Sequence, residues 1–495
     1  MTYAPARATT LAALVRELGP VRTLGDLDAR ILAVAHDSRH LAAGTLFVAL
    51  RGEHVDGHAF ALEALTAGAA AIVVDAAYAA TATFPSEGRV VIVDDTYRAL
   101  SRLAAAIYDH PTDALRVVGV TGTNGKTTVT HLVAAILDEA GIATGRIGTL
   151  GARFGGAMWS LENTTPLALE LQALLADMRA RGAKAVAMEA SSHALAQGRV
   201  ADVRFAVAAL TNVTRDHLDF HGTFDAYAAA KRTLFERAPV AVLNADDACG
   251  RRWARELAET GTRVVTYALD GDATLVARDV AVRADGSEFD LDGRRFALRL
   301  PGRFNVANAL AALGIARACD VPDDVSARAL AGFERVPGRM EHLAGGDIDV
   351  LVDYAHTPDA LDVVLAAARE TTRGRLAVVF GCGGDRDRGK RPLMGRVARE
   401  RADRVVVTSD NPRGEEPQAI LEDILAGMND RRDVTALVDR RAAIRRAILE
   451  AEAGDVVVVA GKGHETYQIV GTVANHFDDR EEVRAALAER ESANA

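Results

Sequence analysis

The sequence predicts an α/β protein of three domains, the last of them a doubly wound (Rossmann-like) sheet. A chain of 495 residues is too long for one hydrophobic core. Short runs rich in Val, Ile, Leu and Ala, typical of buried strands, alternate with helix-like segments in three successive blocks. Such alternation indicates parallel sheets with helices on both faces, where ligands bind beyond the carboxyl ends of the strands. The predicted domains are residues 1–111, 112–337 and 338–495.

Composition excludes several classes of protein. Hydrophobic residues make up 49% and charged residues 25%, and 58 Lys plus Arg against 68 Asp plus Glu leave a net charge of −10. That balance argues against a chain that coats nucleic acid or an anionic membrane. Cys249, Cys319 and Cys382 form no CxxC pair, so neither a disulfide framework nor a structural zinc site is expected. With no apolar run of about 18 residues and no signal peptide, the prediction is a soluble cytoplasmic protein.

The first block contains three strand-like runs, at residues 45–50, 71–74 and 90–93. A helix is predicted at residues 59–68, and a second one ends near His110, where Pro111 marks the boundary.

The second block opens with the strand-like run at residues 115–120, followed by a Gly/Thr/Asn loop and a helix. In that helix, apolar residues recur at 3.6-residue spacing and Gly141 supplies the stop. Further strands are predicted at 185–188 and 206–210, and a hairpin around Asp292-Gly293. The third block alternates strands at 376–380, 404–408 and 455–460 with helices at 393–401 and 419–428.

The most distinctive local motif is the loop at residues 122–128, Gly-Thr-Asn-Gly-Lys-Thr-Thr, between a buried strand and an amphipathic helix. Glycines let backbone N–H groups surround a phosphate at a helix N-terminus. Lys126 can reach the β- and γ-phosphates, and the Thr127 hydroxyl can bind Mg²⁺. Val120 stands where a strict motif has glycine, so the loop is a variant. The central domain is therefore predicted to be a P-loop-like ATPase domain, the alternative being a glycine-rich turn that merely caps a helix.

Glu189 and His217 follow two strands of the same block and suit a magnesium site, because Mg²⁺ takes few protein ligands beside substrate oxygens. Taken alone, Lys231 would be a solvated helix position and His217 a packed or capping histidine. Ser191, Gln197 and Arg199 could hold an anionic sugar nucleotide, and the turn beginning at Asn163 could join them. The alternative is that the polar side chains of these two loops only form hydrogen bonds with the backbone of the loops themselves.

In the third block, three polar loops follow three strands, at residues 381–391, 410–413 and 461–465. These loops combine glycines and acidic residues with arginines and lysines that can bind carboxylate or phosphate, which indicates one shared ligand crevice. Any one of the three could instead be a solvated turn.

Together these motifs resemble the Mur ligase family over essentially the whole chain. Its markers stand here in family order, at residues 121–128, 189–193, 212–222, 244–247, 302–308 and 353–356. The run Asp410-Asn-Pro-Arg413 resembles the members that add diaminopimelate, whereas lysine-adding members replace that arginine.

The resemblance implies a ligase of cell-wall synthesis that uses ATP and Mg²⁺ to add meso-diaminopimelate to UDP-N-acetylmuramoyl-L-alanyl-D-glutamate through an acyl phosphate. The chain is expected to be a monomer, and its charge balance and lack of an apolar span predict binding to neither nucleic acid nor membrane. Relatives considered as alternatives are folylpolyglutamate synthetase, against which the sugar-binding loops speak, and the lysine-adding ligase, against which Arg413 speaks. From another class, a nucleotide-gated switch protein would lack a use for Lys231, Glu189 and His217 together.

The resemblance also carries site residues onto this sequence. For ATP it implies Gly122, Thr123, Asn124, Gly125, Lys126, Thr127, Thr128 and Asn308. For the UDP-linked substrate it implies Ser38, Glu53, His54, Val55, Asn163, Thr164, Thr165, Ser191, Gln197 and Arg199, although some relatives have Gln and Ala in place of His54 and Val55. For diaminopimelate it implies Arg386, Asp410, Asn411, Pro412, Arg413, Gly461 and Glu465. The expected catalytic residues are Lys126, Lys231, His217 and Glu189, and the expected metal ligands are Thr127, Glu189, His217 and Lys231 as a carbamate.

Overall fold

The computed structural model describes residues 9–52, 55–283 and 285–494. Its three largest sheets have five, nine and six strands, and each occupies one of the three predicted blocks. The predicted α/β class is therefore confirmed, and the exact domain limits stay a prediction. No helix in the described part of the chain is long and apolar enough to cross a membrane.

The N-terminal block is built on a five-stranded sheet in the order β2-β7-β6-β5-β4, parallel except for β2. The strands of this sheet are β2 (Arg22–Leu24), β4 (Ala33–Ala35), β5 (Thr45–Val48), β6 (Ala71–Asp75) and β7 (Val90–Val93). Two further short strands, β1 (Thr9–Thr10) and β3 (Arg30–Ile31), pair only with each other. Its helices are α1 (Leu11–Leu18), α2 (Ala61–Thr66), α3 (Ala76–Ala79) and α4 (Thr96–Ile107). The predicted helix at 59–68 is shorter than expected, because a 3₁₀ turn over Gly57–Phe60 precedes α2.

The central block is built on the nine-stranded sheet, in the order β11-β10-β9-β12-β8-β13-β14-β15-β16. Its strands are β8 (Arg116–Thr121), β9 (Thr144–Gly148), β10 (Gly151–Phe154), β11 (Ala157–Trp159), β12 (Ala185–Glu189), β13 (Phe205–Leu210), β14 (Val240–Asn244), β15 (Arg263–Ala268) and β16 (Leu275–Val276). A separate sheet of β17 (Arg278–Arg283), β18 (Gly286–Leu291) and β19 (Arg294–Leu298) contains the hairpin predicted at Asp292-Gly293.

Most helices of this block cover one face or the other of the nine-stranded sheet with apolar side chains. They are α5 (Lys126–Glu139), α6 (Ala168–Ala180), α7 (Ser192–Ala196), α8 (Leu218–His221), α9 (Phe224–Arg232), α10 (Ala248–Glu259), α11 (Arg303–Ala318) and α12 (Asp323–Gly332). Strand β8 lies between β12 and β13 and runs parallel to both. The loops that follow these three strands therefore meet at one edge of the sheet.

The C-terminal block has a six-stranded sheet in the order β20-β21-β25-β22-β23-β24, parallel except for β20. The strands of this sheet are β20 (Glu341–Gly345), β21 (Ile348–Asp353), β22 (Leu376–Phe380), β23 (Arg404–Thr408), β24 (Val434–Leu437) and β25 (Val456–Ala460). A separate two-stranded hairpin consists of β26 (Tyr467–Val470) and β27 (Val473–His476). Its helices are α13 (Pro358–Thr371), α14 (Lys390–Arg401), α15 (Pro417–Leu425), α16 (Arg440–Leu449) and α17 (Asp479–Asn494). Because β25, β22 and β23 are neighbours, the three polar loops predicted to converge do lie side by side.

Candidate active site

The phosphate loop requires glycine at two positions. Gly122 has φ +146°, and a Cβ there would collide with the Thr211 hydroxyl. Gly125 has φ +87° at the start of α5, and a Cβ there would lie 2.5 Å from Asn308 Oδ1. Both values fall where side chains are rarely tolerated. Val120, which departs from the strict motif, is a buried residue of β8, so glycine has no conformational use at that position.

Two lysines converge on one carbonyl of this loop. Lys126 Nζ donates to Gly122 O at 2.9 Å and to Thr123 O at 2.8 Å, and Lys231 Nζ donates to the same Gly122 O at 2.8 Å. Burial lowers the pKa of Lys126, an effect that the charges of Glu189 and Asp216 oppose. Positive charge on both amino groups would be mutually repulsive at this distance, and an incoming phosphate would supply the counter-charge that the carbonyl lacks.

Lys231 is enclosed by protein. Only 1% of the residue is exposed, and its Nζ lies 4.4 Å from the centre of the Tyr227 ring. Burial, and secondarily the charge of Lys126, hold the pKa of Lys231 well below its ordinary value. The Tyr227 hydroxyl is itself 2.9 Å from Thr123 Oγ1. The solvated helix position that Lys231 suggests in isolation is therefore wrong.

Glu189 and His217 reach the loop from the two neighbouring strands. Glu189, at the end of β12, is buried and accepts hydrogen bonds from the backbone N and the hydroxyl of Thr149 at 2.9 and 3.0 Å. His217 has φ +53°, and its Nε2 lies 3.3 Å from Asp216 Oδ2. Desolvation lowers the pKa of His217 despite the opposing charge of Asp216, so the imidazole is neutral near pH 7 and can act as a ligand.

The expected magnesium ligands fit on donor chemistry. Glu189 offers carboxylate oxygens, and the Thr127 hydroxyl is 3.2 Å from Arg339 Nη2. Among the described residues, no group of three or more His, Cys, Asp and Glu side chains is arranged to hold a metal ion unaided. Mg²⁺ tolerates such a sparse set because it keeps waters and takes phosphate oxygens. The four ligands named from the sequence, including Lys231 as a carbamate, stay a prediction.

A cavity of about 920 Å³ lies between the central and C-terminal blocks. Its wall contains the phosphate loop, Asn308, Glu189 and His217, together with Thr164 and Ser191. The structure thus brings residues predicted for ATP, for the metal and for the UDP-linked substrate to one cavity. Asn308 Nδ2 donates to Asn305 Oδ1 at 3.2 Å, which fixes the amide beside Gly125.

Residues from the C-terminal side complete this wall, and they were not assigned a role from the sequence. Arg339 stacks 4.4 Å from the Tyr354 ring centre while contacting Thr127. Asp359 accepts from Asn124 Nδ2 at 3.1 Å and from Thr214 Oγ1 at 3.3 Å. Asp353 and His356 also line the cavity, and the family marker at residues 353–356 was a signal in the sequence from which they could have been assigned to the site. Arg339 lies in no such marker, so nothing in the sequence was a reason to select it. These contacts join the C-terminal block directly to the phosphate loop.

The loops expected to bind the UDP-linked substrate form one hydrogen-bonded group on the central block. The buried Thr165 hydroxyl donates to Glu189 O at 2.8 Å and accepts from Ser191 N at 3.0 Å. Arg199 donates to Thr165 O at 2.9 Å and to Gln197 Oε1 at 2.8 Å. This group links Thr165, Ser191, Gln197 and Arg199 to the backbone of Glu189, the residue predicted to bind the metal.

The N-terminal residues expected for the same substrate are only partly described. Ser38 begins a 3₁₀ turn, Val55 is exposed, and neither is in the wall of the cavity. Glu53 and His54 lie outside the described residues.

The residues predicted for the amino acid form a second cluster. Asn411 Nδ2 donates to Glu465 Oε2 at 3.0 Å, and Tyr354 OH donates to Glu465 Oε1 at 3.5 Å. Because Tyr354 also lines the cavity, the cluster adjoins it. At Gly461 a Cβ would lie 2.6 Å from Asp410 Oδ2, so glycine keeps the two loops together.

Arg413 is held in an unusual backbone conformation within this cluster. Its φ is +51°, its N donates to Ile469 O at 3.1 Å, and its Nη1 donates to Gly384 O at 2.9 Å. A non-glycine residue in the left-handed region persists when its surroundings determine it, as they do at binding sites. Arg386, from the neighbouring loop, donates only to Asp385 O at 2.8 Å among its described hydrogen bonds, so its guanidinium has donors left over.

Two buried cations support these loops. Arg440 forms a paired ion contact with Asp479, two hydrogen bonds at 2.7 Å, and also donates to Ser409 O and Ala460 O, which end or follow β23 and β25. Lys462 is fully buried, and its Nζ donates to Asn411 Oδ1 and Glu465 Oε2, both at 3.1 Å. Lys462 stood within a motif noted in the sequence but was not assigned to the site.

We expect Lys462→Met to lower the free energy of unfolding by about 2–3 kcal/mol, because Glu465 would keep a largely buried charge without its partner. The pKa of Glu465 is already raised by burial and by Asp410. Chemical denaturation measures the loss. The double variant Lys462→Met/Glu465→Gln should recover most of it, since no unpaired charge stays behind. A single variant within about 0.5 kcal/mol of the wild type would contradict this role.

Comparison with known proteins gives a consistent picture. Family models match residues 30–108 (Mur ligase family, catalytic domain), 120–316 (Mur ligase middle domain) and 338–463 (Mur ligase, glutamate ligase domain). A UDP-N-acetylmuramoyl-L-alanyl-D-glutamate–2,6-diaminopimelate ligase of Gloeobacter violaceus is 49% identical over 95% of this chain and 96% of its own length. The ligase of the same name from Synechococcus elongatus is 47% identical over 94% and 96%.

Solved structures agree with these relatives. The structure of a ligase with the same name superposes with a TM-score of 0.69 at 34% identity, covering 98% of this chain and 100% of that one. A MurF structure from Acinetobacter baumannii superposes with a TM-score of 0.67 at 19% identity, covering 99% and 100%, and this likeness shows the shared fold alone.

Proposed function

The chain belongs to the Mur ligase family, and we propose that it is an ATP-dependent ligase that adds meso-2,6-diaminopimelate to UDP-N-acetylmuramoyl-L-alanyl-D-glutamate. The observation that carries this proposal is the near full-length similarity to ligases of that name. The geometry supports it, because the phosphate loop, the loops for the UDP-linked substrate and the Arg413 cluster adjoin one cleft. Product formation from the three substrates, followed by mass spectrometry, is the direct test.

The first step is transfer of the γ-phosphoryl group of ATP to the side-chain carboxylate of D-glutamate, which gives an acyl phosphate and ADP. The backbone N–H groups of the phosphate loop and the Lys126 ammonium stabilise the charge on the transferring group. Arg339 contacts Thr127 from the C-terminal block, so its guanidinium can place a second positive charge beside the transferring phosphoryl group. Bound Mg²⁺ would supply further charge neutralisation, held by Thr127, Glu189 and His217.

In the second step, the amine of diaminopimelate attacks the carbonyl carbon of the acyl phosphate. The tetrahedral intermediate expels inorganic phosphate, the nitrogen loses a proton, and the amide is formed. A neutral, aligned amine is needed for this attack. Glu465, Asn411 and Arg413 hold the end of the amino acid that does not react. The contacts of Arg339 and Asp359 with the phosphate loop bring the C-terminal block, and with it the attacking amine, toward the acyl phosphate. Exclusion of water by the same contacts protects the acyl phosphate.

Diaminopimelate differs from lysine by one carboxylate, and we expect Arg413 to bind it through two parallel charge-assisted hydrogen bonds, with Arg386 in support. Without that carboxylate the partly buried guanidinium keeps only carbonyl partners and no anion, so the wild type should reject L-lysine by about 10⁴–10⁵ in kcat/KM. Arg413→Ala should raise the KM for diaminopimelate by about 100-fold or more and leave the KM values of ATP and the UDP-linked substrate nearly unchanged.

The matched control for this prediction is Arg432→Ala, which removes an exposed arginine of the same block that pairs with Asp430. It should change none of the KM values. A better rate with L-lysine than with diaminopimelate would refute the assigned specificity and leave the ligase chemistry standing.

We further propose that the enzyme works as a monomer in the cytoplasm and uses Mg²⁺. The substrates ATP and a UDP-linked precursor support the location, and the sparse oxygen-rich ligand set supports the metal.

A further inference from the structure

The hairpin formed by β26 and β27 is attached to the loop that carries Arg413. Ile469 N donates to Asn411 Oδ1 at 2.9 Å, and Gln468 Nε2 donates to Asp410 O at 2.7 Å. In the backbone, Arg413 N donates to Ile469 O and Gly471 N donates to Arg413 O. Three hydrogen bonds to the first strand and one from Gly471 in the turn therefore fix the hairpin against the polar loop, and the side chains of the first strand have a set position relative to it.

Tyr467, the first residue of the hairpin, lies beside the buried polar cluster. Its ring centre is 5.5 Å from Lys462 Nζ, and Lys462 in turn bonds both Asn411 and Glu465. Burial raises the pKa of Tyr467, and the charge of Glu465 adds to this. The residue is nevertheless 40% exposed. One side of the ring thus contacts the cluster, and the rest of it is free to contact a ligand.

The residues assigned to the amino acid offer little apolar surface to the middle of that molecule. They supply charged or amide groups at Arg386, Asp410, Asn411, Arg413 and Glu465 and no side chain at Gly461, and their one apolar member, Pro412, is buried. Such groups suit the two charged ends of a diamino dicarboxylate. The three methylene groups between those ends gain by contact with an apolar surface when they leave water. An aromatic ring offers such a surface at low conformational cost.

We propose that Tyr467 packs its ring against the methylene chain of the incoming diamino acid and so contributes to selection of chain length. The proposal rests on the proposed function and extends it to a residue outside the assigned set. Tyr467 acts here as a specificity residue that touches the substrate, and its hydroxyl has no part in the reaction.

The test compares four proteins: wild type, Tyr467→Phe, Tyr467→Ala and Val473→Ala. Val473 is the matched control because it lies on the opposite strand of the same hairpin and is 58% exposed. For each protein, kcat and KM are measured with meso-diaminopimelate and with 2,5-diaminoadipate, which has one methylene fewer. The KM for ATP is measured alongside, as a readout of the intact central block.

We expect Tyr467→Ala to raise the KM for diaminopimelate by about 10- to 100-fold, and to reduce the preference over the shorter homologue by a similar factor. Tyr467→Phe and Val473→Ala should stay within about twofold of the wild type, and the KM for ATP should not change in any variant. An unchanged chain-length preference in Tyr467→Ala, or a Tyr467→Phe variant as impaired as Tyr467→Ala, would overturn the inference. A wild type that forms no product overturns the proposed function as well, so the two failures are distinguishable.

Discussion

Replacing Lys126 by alanine is expected to lower ATP-driven ligation at least about 10³-fold, a loss of ~4 kcal/mol of transition-state stabilisation. Lys126 begins α5, and its Nζ spans the loop through Gly122 O and Thr123 O. Carbonyl oxygens are weaker partners for an ammonium than phosphate oxygens, so ATP should draw this group to the γ-phosphate. Because no apolar core depends on Lys126, the variant should fold normally.

The measurement is phosphate release in the presence of all three substrates, with circular dichroism and thermal unfolding as the check on folding. Lys184→Ala is the matched control, since Lys184 is exposed and directly precedes β12 on the same sheet. That variant should match the wild type in both assays. If the Lys126→Ala protein is folded and turns over at the wild-type rate, the assignment of residues 122–128 as the ATP phosphate site is wrong.

The parts of the fold that sequence could predict are those set by local pattern. The loop at 122–128 needs glycine at Gly122 and Gly125 for positive φ, and such residues are visible in a sequence. The neighbouring position of the polar loops after β25, β22 and β23 followed from the expectation of a parallel sheet. The helix predicted at 59–68 was less accurate, because apolar periodicity does not separate a 3₁₀ turn from the first turn of an α-helix.

The parts that sequence could not predict depend on contacts between distant segments. Arg339 meets Thr127, and Lys462 meets Asn411, only once the blocks are folded and placed together. A lone lysine or arginine has no periodicity or spacing from which such a partner follows. The burial of a single residue is also not visible in a sequence. The residues around Lys231 have the pattern of an exposed helix, whereas the folded chain encloses the lysine. The roles of these residues in catalysis remain predictions.

Lys231 is the second residue whose loss should be severe, and the structure supplies a reason for its expected carbamylation. The amino groups of Lys126 and Lys231 share the carbonyl of Gly122. Burial holds the pKa of Lys231 well below its ordinary value, which favours the neutral amine that attacks the carbon of carbon dioxide and then loses a proton to give the carbamate. The product is an anion, which would replace the repulsion of Lys126 by attraction and could serve as an acidic ligand for the metal.

We therefore expect Lys231→Ala to lose about 10²–10³-fold in kcat, the range seen when one preorganised electrostatic group is removed, and to recover partly when a short-chain carboxylate such as acetate is added. The added carboxylate would occupy the vacated space and restore the negative charge. Arg232→Ala is the control, because Arg232 is the next residue of α9 but its guanidinium pairs with Glu236 and Glu256 instead of the phosphate loop. ¹³C NMR after incubation with ¹³C-bicarbonate should show a carbamate signal in the wild type and in Arg232→Ala, and none in Lys231→Ala. Lys231→Arg keeps a positive charge and forms no such carbamate, so normal activity in that variant would show that the anion is not needed.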